Sequence, residues 1–163
     1  MNVRLFLFCL LAFTSFGQDY WEVRDSIKGA PRAGMATFVL GNRGYAVGGI
    51  KVDGSTRKMY SYSKPQNDWD DELSLGGLTG GGLERNLACG FSLHGKGYVC
   101  LGEGLGSAFM NDLWEFDKAN QTWTQKADFI GTPRRGATSF VINNIAYVGT
   151  GEDEQGLCND FYT

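Results

Sequence analysis

Histidine is almost missing from this 163-residue chain, which carries one, His94, beside 18 carboxylates. A lone imidazole builds no paired-histidine metal site, and no two of the four cysteines stand at the CxxC spacing of structural zinc, so no metal or other cofactor is expected. Positive charge is also short: 15 Lys and Arg give a net charge of −3, with a pI near 5.1. That leaves no basic footprint for nucleic acid. Proline is scarce, at 3 residues against 24 glycines, while aromatics are plentiful at 11 Phe, 7 Tyr and 4 Trp. Disorder goes with few aromatics, so this balance points to short strands broken by turns.

Long apolar runs are lacking too. The one candidate, Leu5 to Phe13, is about nine residues, whereas a spanning helix needs roughly 20. With Arg4 before it and Ser15 and Gly17 after it, the segment 1–17 reads as a signal peptide cleaved before Gln18. The expected location is secreted, periplasmic or cell-surface, with no membrane span after signal removal. Cys89, Cys100 and Cys158 remain in the exported part, and an odd count leaves at least one unpaired within the chain.

What the chain does have is a repeat. Tyr45, Tyr98 and Tyr147 are spaced by 53 and 49 residues. Seven positions before each stands a phenylalanine (Phe38, Phe91, Phe140) and thirteen before an arginine (Arg32, Arg85, Arg134). Sixteen before stands a glycine (Gly29, Gly82, Gly131), and four after another (Gly49, Gly102, Gly151). Trp21, Trp69 and Trp123 precede the three copies. A period near 50 residues signals a solenoid or propeller. The units are read as 18–68, 69–122 and 123–163.

Each unit calls for four strands. The first carries the Phe and the second the Tyr. The third has alternating aromatics (Tyr60 and Tyr62; Trp114 and Phe116; Phe161 and Tyr162), and the fourth holds a Trp, as in Thr122 to Gln125. Pairing Phe with Tyr leaves two turn residues each time: Gly41-Asn42, His94-Gly95 and Asn143-Asn144. His94 is therefore a turn residue, badly placed as a catalytic base. The same register sets Cys89 opposite Cys100, where either a cross-strand disulfide or two packed thiols fits. In the second unit the stretch from Trp to Arg is 16 residues rather than 11, and the Gly-rich segment Leu75 to Leu83 takes up the excess as a flexible surface loop. Gly102 to Gly106 has no Lys-Ser/Thr end or following helix for a phosphate loop, and Asp153 to Gly156 lacks the alternating acids of a calcium loop.

The Pro-Arg start, the Gly44-Tyr-Ala-Val-Gly-Gly49 run, Asn111-Asp-Leu-Trp-Glu-Phe-Asp117 and the closing Trp123 resemble the kelch repeat in its exported bacterial form. The resemblance covers essentially all of 18–163. It implies four-stranded antiparallel blades from a ring of five to seven, the type of propeller found in the central domain of galactose oxidase. Units two and three depart from the Gly-Gly pair, with Leu101-Gly102 and Thr150-Gly151. About three units do not close such a ring, so the expectation is an all-β partial propeller, a fragment of a larger one, with open blade edges prone to self-association.

Kelch domains take ligands at the channel mouth, which in this sequence selects Arg32, Arg85 and Arg134, with Glu103 and Glu152 next. Three converging guanidiniums suit a carboxylate or acidic sugar; alternatively each arginine holds neighbouring carbonyls or pairs with an acid such as Glu103 or Glu152. The resemblance is mute on activity, since propellers host many. The single histidine excludes a galactose-oxidase-like copper site, and no catalytic set is complete. The leading reading is an exported module binding a protein or a glycan. The others are part of a sialic-acid mutarotase-like or other carbohydrate-active propeller enzyme, and a truncated remnant without function.

Overall fold

A computed structural model of the protein describes residues 20–81 and 83–163. The signal segment expected over 1–17, its cleavage point before Gln18, and Gly82 lie outside the described residues. Within them the chain is all-β, in antiparallel sheets that do not close on themselves.

The first sheet is built from β1 (Ala33–Leu40), β2 (Arg43–Lys51), β3 (Gly54–Ser55), β4 (Met59–Ser63) and β5 (Asp68–Glu72), in the order β1-β2-β4-β5 with β3 on β2. The second follows the same order with β6 (Cys89–Leu93), β7 (Lys96–Cys100), β8 (Leu113–Asp117) and β9 (Thr122–Gln125). The third has β10 (Thr138–Ile142), β11 (Ile145–Gly149) and, after the small hairpin of β12 (Glu152–Asp153) and β13 (Gly156–Leu157), β14 (Phe161–Tyr162). Trp69 and Trp123 lie in the last strand of the first and second sheets, where they pair with Tyr62 and Phe116, whereas Trp21 lies in no strand and is exposed.

The turns follow from local chemistry. Asn143 and Asn144 both hold positive φ, at 51° and 60°, and His94 and Gly95 do the same at 48° and 73°. This is the twist a two-residue hairpin needs. The register they fix sets Phe38 opposite Tyr45, Phe91 opposite Tyr98 and Phe140 opposite Tyr147. All three pairs stack, with ring centroids 5.1, 5.0 and 5.2 Å apart.

Side chains of one sheet cover the pair of the sheet before it. Phe116 and Trp123 lie against Phe38 and Tyr45, with Phe116 5.9 Å from Tyr45 and 5.1 Å from Trp123, in a core that also holds Val47, Met59 and Val99. The Trp123 indole donates to the Leu73 carbonyl at 2.9 Å and ties the second sheet to the first. A second core gathers Cys89, Phe91, Cys100, Leu101 and Val148. The glycine-rich loop is not wholly a surface feature: Leu75 is fully buried in the first core. The Arg57 guanidinium donates to the carbonyls of Leu75 and Gly77 at 2.8 and 2.6 Å, which pins the start of the loop.

Main-chain bonds join the units, and the same set occurs at both junctions. Gly49 donates to the Arg85 carbonyl and Gly102 to that of Arg134, each at 2.8 Å. Arg85 donates to Thr56 and Arg134 to Met110, both at 3.2 Å; Leu87 donates to Gly34 and Gly136 to Leu87, both at 2.8 Å.

Candidate functional site

The three repeat arginines begin alike. Each folds its Nε–H back onto the carbonyl two residues earlier: Arg32 onto Ala30 at 3.2 Å, Arg85 onto Leu83 at 3.3 Å, Arg134 onto Thr132 at 3.1 Å. The hook leaves NH1 and NH2 of each guanidinium as a fork for other partners.

In the second unit that fork closes on an acid. Arg85 is fully buried and meets both oxygens of Asp112 at 2.6 Å, while NH1 also reaches the Leu101 carbonyl at 3.1 Å. The Trp114 indole gives the carboxylate a further donor at 2.6 Å. Burial pulls the Asp112 pKa upward, but Arg85 and Trp114 together outweigh it and hold the group below its ordinary value. The third unit repeats the arrangement. Arg134, 1% exposed, grips both oxygens of Asp160, reaches the Thr150 carbonyl at 3.3 Å and stacks over Phe129, while the Tyr162 hydroxyl donates to Asp160 at 3.0 Å. Hydrogen bonding to Arg134 brings Asp160 down to about 2. Arg85 and Arg134 thus hold carbonyls and pair with acids, and the acids are Asp112 and Asp160 rather than Glu103 or Glu152.

Arg32 has the hook without the acid. Its NH2 contacts the Lys28 carbonyl at 3.3 Å and the Tyr60 hydroxyl at 3.4 Å, and the guanidinium lies 4.9 Å from the Tyr60 ring centre. Its NH1 is shut off from water and has no partner among the described residues.

Glu103 and Glu152 do come together, through a residue the repeat did not mark. Arg135 pairs with Glu103 and, at 2.9 Å, with Glu152, so one guanidinium bridges acids of the second and third units. Its face lies 5.3 Å from the Phe109 ring centre. The Arg135 and Ser107 side chains lower the Glu103 pKa. The triad is half-exposed and lies between two open depressions. One, about 370 Å³, is lined by Ser55, Glu84, Asn86, Glu103 and Ser107 among others. The second, about 410 Å³, includes Arg135, Thr150, Glu152 and Cys158 in its wall.

Cys89 and Cys100 face each other as register demands, both buried, as thiols with sulfurs 3.2 Å apart. Hydrogen bonds from Cys100 and then Ser139 favour the Cys89 thiolate and lower its pKa, despite burial. His94 sits at its turn and Asp153 caps its own hairpin, accepting from the Gln155 and Gly156 amides at 2.8 and 3.1 Å. Among the described residues no three His, Cys, Asp or Glu side chains gather as metal ligands.

No protein-family model matches the chain, and no curated protein is similar to it.

Proposed function

We propose that this chain is an exported kelch-repeat module, its sheets the blades of a propeller, that binds a protein or a glycan through the face carrying Arg135, Glu103 and Glu152. The triad carries this reading. It is charged, partly open to water and flanked by two open depressions, whereas the buried forks of Arg85 and Arg134 are closed on their own acids. Binding faces combine fixed polar groups with concave surroundings, and Arg135 is held in place by two carboxylates and an aromatic ring. The repeated stacked pairs, arginine hooks and junction bonds support the repeat assignment that the sequence suggests.

The test is a glycan array and a pull-down from the extracellular fraction, run with the protein and with Arg135→Ala and Glu152→Gln. Arg135 lies outside the buried ion pairs, so these variants should fold. Loss of a reproducible ligand in both, with unchanged circular dichroism, is the expected outcome. A ligand retained equally by both variants would overturn the reading.

A further inference from the structure

The three units can be superposed residue by residue at the acid position. Leu113 pairs with Cys100 and Phe161 with Gly149, and the residue just before each is the aspartate. In the first unit Met59 pairs with Val47, so the equivalent position is Lys58. A main-chain bond confirms the match: Leu101 donates to the Asp112 carbonyl at 3.2 Å, Thr150 to Asp160 at 2.9 Å, and Gly48 to Lys58 at 2.9 Å.

The hooked arginine and the aromatic donor of the carboxylate cradle recur in the first unit, although Arg32 NH1 lacks the bond that Arg85 and Arg134 make to the Leu101 and Thr150 carbonyls. Arg32 is hooked onto Ala30 as its counterparts are hooked onto Leu83 and Thr132. Tyr60 stands where Trp114 and Tyr162 stand, and those two donate to the aspartates of their own units. Tyr60 is 2% exposed, and its hydroxyl accepts from Arg32, with no acceptor for its own hydrogen among the described residues. The Arg32 NH1 is buried and unpartnered among the described residues. Lys58 brings a second positive charge in place of the acid, and its side chain is exposed. An enclosed donor without an acceptor, as the Arg32 NH1 is, is costly when left empty.

We propose that Arg32, Tyr60 and Lys58 form a binding site for an external carboxylate, which takes the place beside residue 58 that Asp112 and Asp160 fill from within their own units. Two parallel N–H···O bonds from the Arg32 fork and one O–H···O bond from Tyr60 hold its two oxygens, as in the sister units. Lys58 adds charge at the rim. The carboxylate belongs to a sugar acid or to an acidic side chain of a peptide, the shared chemistry being one planar carboxylate. This site uses none of the residues of the Arg135 face, so either reading can fail without the other.

The experiment titrates the whole protein with sodium glucuronate and, separately, with a blocked Gly-Asp-Gly peptide. It follows the Arg32 side-chain Nε–Hε resonance by NMR and the melting temperature, with sodium chloride at matched ionic strength as the reference. The expected result is a saturable shift of the Arg32 resonance and a rise in melting temperature, absent with chloride. A response to glucuronate alone assigns the carboxylate to a sugar acid, and a response to the peptide alone to a protein side chain. Lys58→Asp fills the site from within, so it should melt higher than the parent and lose the response to both probes. Arg32→Lys should lose the response without that gain. An unmoved Arg32 resonance with both probes, or a response that survives in Lys58→Asp, would overturn the proposal.

Discussion

Arg85 and Asp112 meet through two hydrogen bonds of 2.6 Å, with the guanidinium wholly enclosed. Removing one partner of such a pair strands a buried charge, which costs about 3–5 kcal/mol. Asp112→Ala is expected to destabilise by that order in urea unfolding. Asp112→Asn, which keeps an acceptor for the Arg85 fork, should lose clearly less. Equal losses would mean that the retained acceptor contributes nothing and that the carboxylate's charge carries the pair.

Tyr45 and Tyr98 occupy the same repeat position in different surroundings. The Tyr98 hydroxyl donates to Glu115 at 2.6 Å, and burial followed by this carboxylate pushes its pKa up to about 12. The Tyr45 hydroxyl is buried with no partner among the described residues, because Ser61 stands where Glu115 would be and is engaged by Arg43 and Glu72. Tyr45→Phe should therefore hold or raise stability, while Tyr98→Phe should lower it by about 1 kcal/mol. Parallel denaturation curves of the two variants check the opposite signs.

Gly97 leaves no room for a side chain: a Cβ built there falls 2.2 Å from the nearest carbon of the Phe38 ring in the neighbouring sheet. Its φ is not positive, so the demand is for space rather than for backbone freedom. Gly97→Ala should cost about 1–3 kcal/mol through overpacking. Phe38→Leu in the same chain should recover part of the loss, a coupling that a double-mutant cycle measures.

Acid should loosen the third unit. Hydrogen bonding to Arg134 lowers Asp160 from its ordinary 3.8 to about 2 in the folded chain. A depressed carboxyl contributes stability above its unfolded value, and that contribution is lost as pH falls from about 3.8 through about 2. Lys96 acts first in the same way on Asp117, which also drops to about 2. Asp160→Asn should flatten the fall of the urea midpoint across this window and leave the curve above it parallel to the parent.

The repeat was legible because its anchors recur at fixed intervals. The Phe–Tyr stacks, the two-residue turns, and Cys89 opposite Cys100 all follow from one register read off the chain. The acids of the arginine forks were not legible. Asp112 and Asp160 lie 27 and 26 residues beyond their arginines, and the first unit has lysine in that place, so no three-copy pattern marks them. Glu103 and Glu152 stand next to the repeat glycines, but both pair with Arg135. No repeat pattern marks that residue, because its counterparts are Ala33 and Asn86. Pattern finds what every copy shares, whereas the charged face is built from what the copies do not share.

The junction bonds run from amide to carbonyl, Gly49 to Arg85 and Gly102 to Arg134, and so read nothing of the side chains around them. A seam made of main-chain atoms is indifferent to substitution on its flanks. The positions beside it have accordingly diverged, to Ala33, Asn86 and Arg135 on one strand and Ile50, Glu103 and Glu152 on the other, with both seams identical in pattern. Such a chain can alter its recognition surface one unit at a time without renegotiating how the units adhere.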